Sequence, residues 1–246
     1  MKLIYVFILL LVGLFAKAND ISILIYNVNY RFINHDIVTI LDSIDADVVC
    51  LQETNSEWEQ LLRNGLQDKY PFIYFKNYGT AGGLATLSKY PIIKSLLLKN
   101  DPGWFPAVLV SIRKGQDTIQ LLNTHLKPKL SKKGLIGWNA YFKADEIHMK
   151  ELSLFMKSLN VNTPTVILGD FNENDAGKMM KWLKKEMNFK DALSKFDKRS
   201  KTWRFLLLRG RFDHLTYNYL LSCTSATVYK LGKSDHFPVL GEFVFK

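Results

Sequence analysis

The chain has 246 residues, 48% hydrophobic and 13% aromatic, enough for a substantial core and against disorder. Two cysteines, Cys50 and Cys223, exclude a disulfide-stapled miniprotein and a multi-cysteine zinc or iron–sulfur module. The absence of any 18-residue apolar window excludes a multi-pass membrane protein. A formal charge of +10 favours polyanionic partners, such as nucleic acid or an anionic membrane surface.

The first 18 residues read as a secretory signal peptide. Lys2 supplies the basic start, Leu3 to Phe15 the apolar run, and Ala16-Lys17-Ala18 the small-residue cleavage site. The run is shorter than the roughly 20 residues a spanning helix needs. Cleavage before Asn19 leaves residues 19–246 as one exported domain, secreted or periplasmic, with a charge of +8 once Lys2 and Lys17 are gone.

Beyond the leader, Ile21, Ile23 and Ile25 alternate as a strand, and Ile37, Ile40, Leu41 and Ile44 recur at helical spacing. The run 47–51 suits a strand buried on both faces, with Cys50 as a buried thiol. Export leaves pairing of Cys50 with Cys223 open. A helix over 56–66 is expected to start on Ser56, with Glu59 completing a capping box. Strands follow at 72–75, 83–88, 92–98, 107–112 and 118–124, then a long helix at 141–159, a strand at 165–168 and a basic helix at 179–187. Strands at 214–217, 225–231 and 238–245 close the chain. This uneven alternation suits mixed sheets better than a purely parallel one, and no domain boundary interrupts it.

The informative pattern is where the apolar runs stop. They end in Asn27, in Gln52-Glu53, in Asn123-Thr124-His125, and in Gly169-Asp170-Phe171-Asn172; Arg211-Phe212-Asp213 and Ser234-Asp235-His236 follow. Ligands bind beyond strand ends in open sheets, so these residues can share one cleft. Glu53, Asp170 and Asp235 with Asn27 and Asn172 form a hard oxygen donor set without cysteine, which suits Mg²⁺, Mn²⁺ or Ca²⁺. His125 and His236 are acid–base or phosphate-contact candidates, and Asp213 can orient an imidazole. Such a set suits attack of water on a phosphate ester. Each residue alone reads equally well as a turn, a cap or surface; the joint occurrence carries the inference. His35, His148 and His214 are left outside it.

In these pieces the chain resembles the endonuclease/exonuclease/phosphatase superfamily, the deoxyribonuclease I-like metal-dependent phosphoesterases. The matching stretches are 25–28, 47–53 with its Leu51-Gln52-Glu53 end, 82–91, Asn123-Thr124-His125-Leu126, Gly169-Asp170-Phe171-Asn172 and Ser234-Asp235-His236-Phe237-Pro238-Val239, in the family's order. The resemblance implies a four-layer α/β sandwich, two packed mixed β-sheets flanked by helices. It implies Glu53 as principal ligand of Mg²⁺ (Mn²⁺ or Ca²⁺ as alternatives), with Asn27 and Asp235 on the metal side. Asp170 then positions or deprotonates the water, Asn172 holds a phosphate oxygen, His236 contacts the scissile phosphate, Asp213 orients His236, and His125 is a second acid or phosphate contact.

Substrate resides in loops. DNA or RNA is the leading expectation, with a monomer acting without an obligate protein partner. A phospholipid headgroup, as in sphingomyelinases, or a small phosphate ester is the alternative, and a catalytically dead phosphate-binding module is a third class. The basic stretches 127–133, 198–204 and 209–211 could bind backbone phosphates, with Lys127, Lys129, Lys132 and Lys133 as a track and Trp203 or Trp138 as stacking faces. The alternative is a solvated basic loop. Residues 103–106 read either as a substrate-facing loop or as a buried turn. No long aromatic hairpin that would enter a membrane is evident.

Overall fold

The computed structural model describes residues 20–99, 103–129 and 138–246. The leader, Lys132, Lys133 and the side chain of Trp138, on which parts of the sequence reading fall, lie outside the described residues. No helix among the described residues is long and apolar enough to cross a membrane.

Alternation builds two sheets that share one core. The first contains β1 (Asp20–Asn27), β2 (Val48–Gln52), β3 (Phe72–Lys76) and β4 (Leu84–Ser88). The second takes the next four strands, β5 (Ile92–Leu98), β6 (Ala107–Lys114), β7 (Asp117–His125) and β8 (Thr165–Asp170), and then β9 (Lys190–Asp191). A separate ribbon is formed by β10 (Trp203–Phe205) and β11 (Leu208–Gly210); β12 (Asp213–Tyr217) returns to the second sheet, and β13 (Leu221–Val228) and β14 (Val239–Phe245) to the first. The strand orders are β13-β14-β1-β2-β4-β3 and β5-β6-β7-β8-β12-β9, six strands each. Both are mixed: β1–β2 and β7–β8 run parallel, and the other neighbours run antiparallel.

Odd-numbered Ile21, Ile23 and Ile25 point inward, where they meet Val110, Leu121, Val166 and Leu168 of the other sheet. Even-numbered Leu24 and Tyr26 point outward under α1 (Asp36–Ile44) and α2 (Ser56–Leu66), against Leu41, Trp58 and Leu62. On the far side, Leu109, Leu122 and Ile167 pack under α3 (Trp138–Met156) and α4 (Lys178–Lys185), against Leu152, Phe155 and Met180. A short α5 (Ala192–Phe196) packs at the edge of the central core through Ala192 and Leu193. The order helix–sheet–sheet–helix is the four-layer α/β sandwich expected. Cys50 and Cys223 are both buried free thiols, which closes the question of their pairing; burial pushes each up to about 12.

Two local expectations change. The N-cap of α2 is Asn55 and not Ser56: Asn55 is extended, and its side-chain oxygen accepts from the Glu57 and Trp58 N–H groups, both at 3.0 Å. Glu59 therefore forms no capping box and instead pairs with Arg63 at 2.9 Å. The basic stretches 198–204 and 209–211, open to a loop reading, run into the β10–β11 ribbon. It turns through Leu206-Leu207, and Leu206 takes φ +51°, a left-handed conformation that costs a residue with a Cβ about 1–2 kcal/mol.

Candidate active site

The two parallel strand pairs set the site. Asn27, the last residue of β1, lies beside Gln52, the last of β2; His125, the last of β7, lies beside Asp170, the last of β8. Asp213, the first residue of antiparallel β12, sits opposite Asp170. Buried amides hold the sheets together at this end. Gln52 Nε2 donates to Asn123 Oδ1 at 2.7 Å, and Asn123 Nδ2 donates to the Leu51 and Ala85 carbonyls at 3.1 Å. Gly169 stands at φ +122°, where a Cβ would lie 2.0 Å from the Thr124 carbonyl oxygen, so β7 and β8 can close together here only because that residue is glycine.

Asp170 is the hub. Its Oδ2 accepts from Asn27 Nδ2 at 3.1 Å, across the two sheets, and lies 3.5 Å from both His125 Nε2 and His236 Nε2. Its Oδ1 accepts from the Asn172 N–H at 2.8 Å. Burial raises Asp170 above the usual carboxylate range, against the opposing pull of His236. His236 Nδ1 lies 2.8 Å and 3.0 Å from the two oxygens of Asp213, and Asp213 is itself fixed by its N–H donating to Thr202 Oγ1 at 3.0 Å. Burial works against the imidazolium, but Asp213 and then Asp170 outweigh it and push His236 up to about 10.

Glu53, His125 and Asp235 complete the ring. Glu53 takes φ +59°, and its carboxylate accepts from Asn27 Nδ2 at 3.1 Å and the Tyr30 N–H at 3.3 Å. His125 Nδ1 is 2.8 Å from the Ala81 carbonyl, which turns Nε2 toward Asp170 and toward Glu53 at 4.0 Å. Asp235 accepts from Trp203 Nε1 at 2.9 Å and from Asn29 Nδ2 at 3.3 Å. Asn172 takes φ +50°, and its Nδ2 donates to the Leu126 carbonyl at 2.9 Å. All eight residues singled out in the sequence thus meet at one edge of the sandwich.

A cleft of about 680 Å³ opens over them, lined also by Tyr30, Arg31, Trp104, Phe105, Trp203 and Phe212. Phe105 stacks on the His125 ring at 4.7 Å, and it and Trp104 bring the 103–106 stretch to the cleft wall. Among the described residues, six that are not glycine take positive φ, and Asn29, Glu53 and Asn172 of those six line this cleft, the placement expected where backbone strain serves a site. The lysine track is thinner than the sequence suggested. Lys127 is buried with its Nζ over the Trp104 ring at 4.8 Å, and Lys129 pairs with Asp145 at 2.6 Å.

Behind the 169–172 turn lies a layer the sequence reading passed over. Glu173 is fully buried; its Oε1 accepts from the Met179 N–H at 2.8 Å and its Oε2 faces His148 Nδ1 at 2.8 Å. His148 Nε2 faces the Lys127 carbonyl at 2.6 Å, and His214 Nε2 faces the Glu173 carbonyl at 2.9 Å. Asp145, His148 and Glu173 are close enough to hold a cation, but Lys129 and the imidazole already face the carboxylates. Two of the three histidines set aside in the sequence, His148 and His214, therefore brace the turn that carries Asp170. Glu173→Ala is expected to cost about 3–5 kcal/mol, because it strands a buried imidazole and a helix N–H. Glu173→Gln should cost much less, since a neutral His148 can accept from the amide. Denaturant midpoints of the two variants check this order.

Two packed mixed sheets with carboxylates, amides and histidines gathered at one edge define a phosphoric ester hydrolase of the nuclease and phosphatase superfamily. Residues 24–236 match the Endonuclease/Exonuclease/phosphatase family, and the chain belongs to it. No curated protein matches the sequence. Among solved structures, a functionally unknown conserved protein from Enterococcus faecalis V583 is similar, with TM-score 0.74, 15% identity, and coverage of 92% of this chain and 100% of that one. TDP2 from C. elegans is similar with TM-score 0.71, 18% identity and coverage of 92% and 75%. D. rerio TDP2, solved with a single-strand DNA product, gives TM-score 0.71, 16% identity and coverage of 91% and 98%. At such identities the likeness is one of fold.

Proposed function

We propose that the protein is an exported, Mg²⁺-dependent phosphodiesterase that cleaves nucleic acid. The observation that carries the reading is the convergence of Asn27, Glu53, His125, Asp170 and His236, from five separate segments, on the point marked by Asp170 Oδ2 and Glu53 Oε1. Export is supported by the leader pattern of residues 1–18.

The donor set fits a hard divalent cation. Glu53, Asp170, Asp213 and Asp235 crowd the site with all-oxygen negative charge, and no cysteine touches it. Glu53 would be the principal ligand with Asn27 and Asp235 beside it; Mn²⁺ or Ca²⁺ would satisfy the same donors. The cation, when bound, supplies neutralisation of charge and polarisation of a phosphate oxygen.

The remaining work falls to the chain itself. Asp170 accepts the proton of the attacking water, and its burial makes it a stronger base than a solvated carboxylate. His236, held as a cation by Asp213, donates from Nε2 to the phosphate as charge builds. His125 presents Nε2 to the same point because Ala81 occupies its Nδ1. Asn172 fixes Asp170 through its backbone N–H and has a second amide N–H left for a phosphate oxygen. Tyr30, Trp104, Phe105 and Trp203, with Arg31, offer base-stacking faces and a cation along the cleft. A phospholipid headgroup is the second reading, favoured by the apolar ribbon at the cleft rim.

The test is turnover of single-stranded DNA, RNA, sphingomyelin vesicles and a small soluble phosphodiester, with and without EDTA. EDTA should abolish turnover and added Mg²⁺ should restore it, with nucleic acid the best substrate. Turnover unaffected by EDTA would refute the metal reading. Cleavage of lipid without cleavage of nucleic acid would move the assignment to the second reading, and no turnover on any substrate would leave only a binding module.

A further inference from the structure

The β10–β11 ribbon stands apart from both sheets, yet it is mounted directly on the catalytic segment. The Arg204 N–H donates to the Asp235 carbonyl at 2.8 Å, and the Phe237 N–H donates to the Thr202 carbonyl at 2.7 Å. Its tip is Phe205-Leu206-Leu207-Leu208, exposed by 56, 81, 95 and 59%. Leu206 occupies a positive-φ turn position that glycine or asparagine fills without strain, and it gains no burial in return. Arg204 and Arg209 lie directly opposite one another across the ribbon; Arg204 extends over the Phe237 ring at 4.8 Å, and Arg209 Nη1 donates to the Leu206 and Leu208 carbonyls at 2.6 and 2.7 Å, bracing the turn. Lys198, Arg199 and Lys201 add three exposed cations on the segment leading in.

We propose that this ribbon docks the protein onto an anionic lipid bilayer. In that arrangement Phe205 to Leu208 enter the headgroup–acyl boundary, while Lys198, Arg199 and Lys201 engage lipid phosphates. The exposed apex and the exposed cations of the segment leading in then find a partner of matching chemistry, apolar at depth and anionic at its surface. Phe205 and Leu208 pair one residue, about 3.4 Å, beyond Arg204 and Arg209, so the apolar apex projects past the basic segment. A second protein would cover one face of a ribbon, whereas all four tip residues are open at once, as a surrounding lipid phase requires. Nucleobases would be expected to select flat aromatic faces over three consecutive leucines.

Trp203 and Leu208 also line the catalytic cleft beside Asp235 and His236, so docking sets the cleft mouth at the membrane surface. The inference concerns where the enzyme works and stands whichever phosphodiester it cleaves.

The experiment places a polarity-sensitive fluorophore at the tip in the full chain. Leu207→Cys provides the attachment point, and because Cys50 and Cys223 are buried they remain unlabelled. Val161→Cys, at a residue 76% exposed in the α3–β8 connection, is the control. Mixed phosphatidylcholine–phosphatidylglycerol vesicles should blue-shift the probe at position 207 and leave it unchanged at 161. Pure phosphatidylcholine should give a much weaker effect. Each cation near an anionic surface is worth roughly fivefold in partition, so Lys198→Gln with Lys201→Gln should raise the lipid concentration for half-effect by roughly 25-fold. The probe reads the tip itself, so a retained apolar leader that held the protein on vesicles would not produce the shift. No shift with anionic vesicles overturns the proposal, as does an equal shift at position 161. A shift produced by single-stranded DNA, or by raising protein concentration without lipid, overturns it as well.

Discussion

Glu53→Gln is expected to lower turnover by roughly 10²–10³-fold while leaving the fold intact. The side chain keeps its shape and an oxygen that can accept from the Tyr30 N–H, so the left-handed turn after β2 should survive. What is lost is one negative charge where a hard cation would be held. The variant should therefore need more Mg²⁺ for half-maximal rate, and Mg²⁺ should raise its melting temperature less than it raises that of the wild type. In EDTA the sign reverses: removing one of several crowded carboxylates relieves repulsion, so the metal-free variant should melt no lower than the metal-free wild type. Turnover and Mg²⁺-induced thermal shift both equal to wild type would remove Glu53 from the metal site.

The framework of the molecule was legible because alternation and burial agree. Ile21, Ile23 and Ile25 mark the inner face of β1, and the fully apolar 48–51 stretch belongs to a strand covered on both sides. The site residues were legible because Asn27, Glu53, His125, Asp170 and Asn172 fall where apolar runs stop and Asp213, Asp235 and His236 fall at or before the start of another, and strand ends are where two sheets can aim side chains at one point. The supporting layer was not, because its members look ordinary in sequence. His148 sits on a helix among apolar residues, and Glu173 is one more acid after a turn; only tertiary packing reveals that the two face each other at 2.8 Å. The same holds for Asn55, which displaces Ser56 as the cap because the chain enters the helix extended at that residue. The ribbon escaped because Leu206-Leu207 carries no turn signal: a leucine at φ +51° violates the preference on which sequence reading relies. Where local preference and observed conformation disagree on an exposed segment, a function outside the fold becomes the natural place to look.

The second large effect concerns the Asp213–His236 pair. Asp213 is fully buried and touches no lining surface of the cleft, so its contribution to chemistry must pass through the imidazole it holds at 2.8 Å. His236→Ala should reduce turnover by roughly 10²–10⁴-fold, through loss of the donor aimed at the phosphate. Asp213→Ala removes the carboxylate that outweighs burial and keeps His236 charged, and it frees the ring to rotate away from Asp170. The loss should be of similar size. Because the two act as one unit, the double variant should be no slower than the slower single variant, and the free energies of the two losses should fail to add. A cavity left by Asp213→Ala could itself disturb the β12 start, so Asp213→Asn is the companion variant. It retains an acceptor for His236 Nδ1 and the volume of the side chain, and should keep the wild-type melting temperature while losing most of the activity through loss of charge. Multiplicative losses in the cycle, with a near-normal Asp213→Asn enzyme, would show that Asp213 serves the fold at the end of β12 and that His236 works alone.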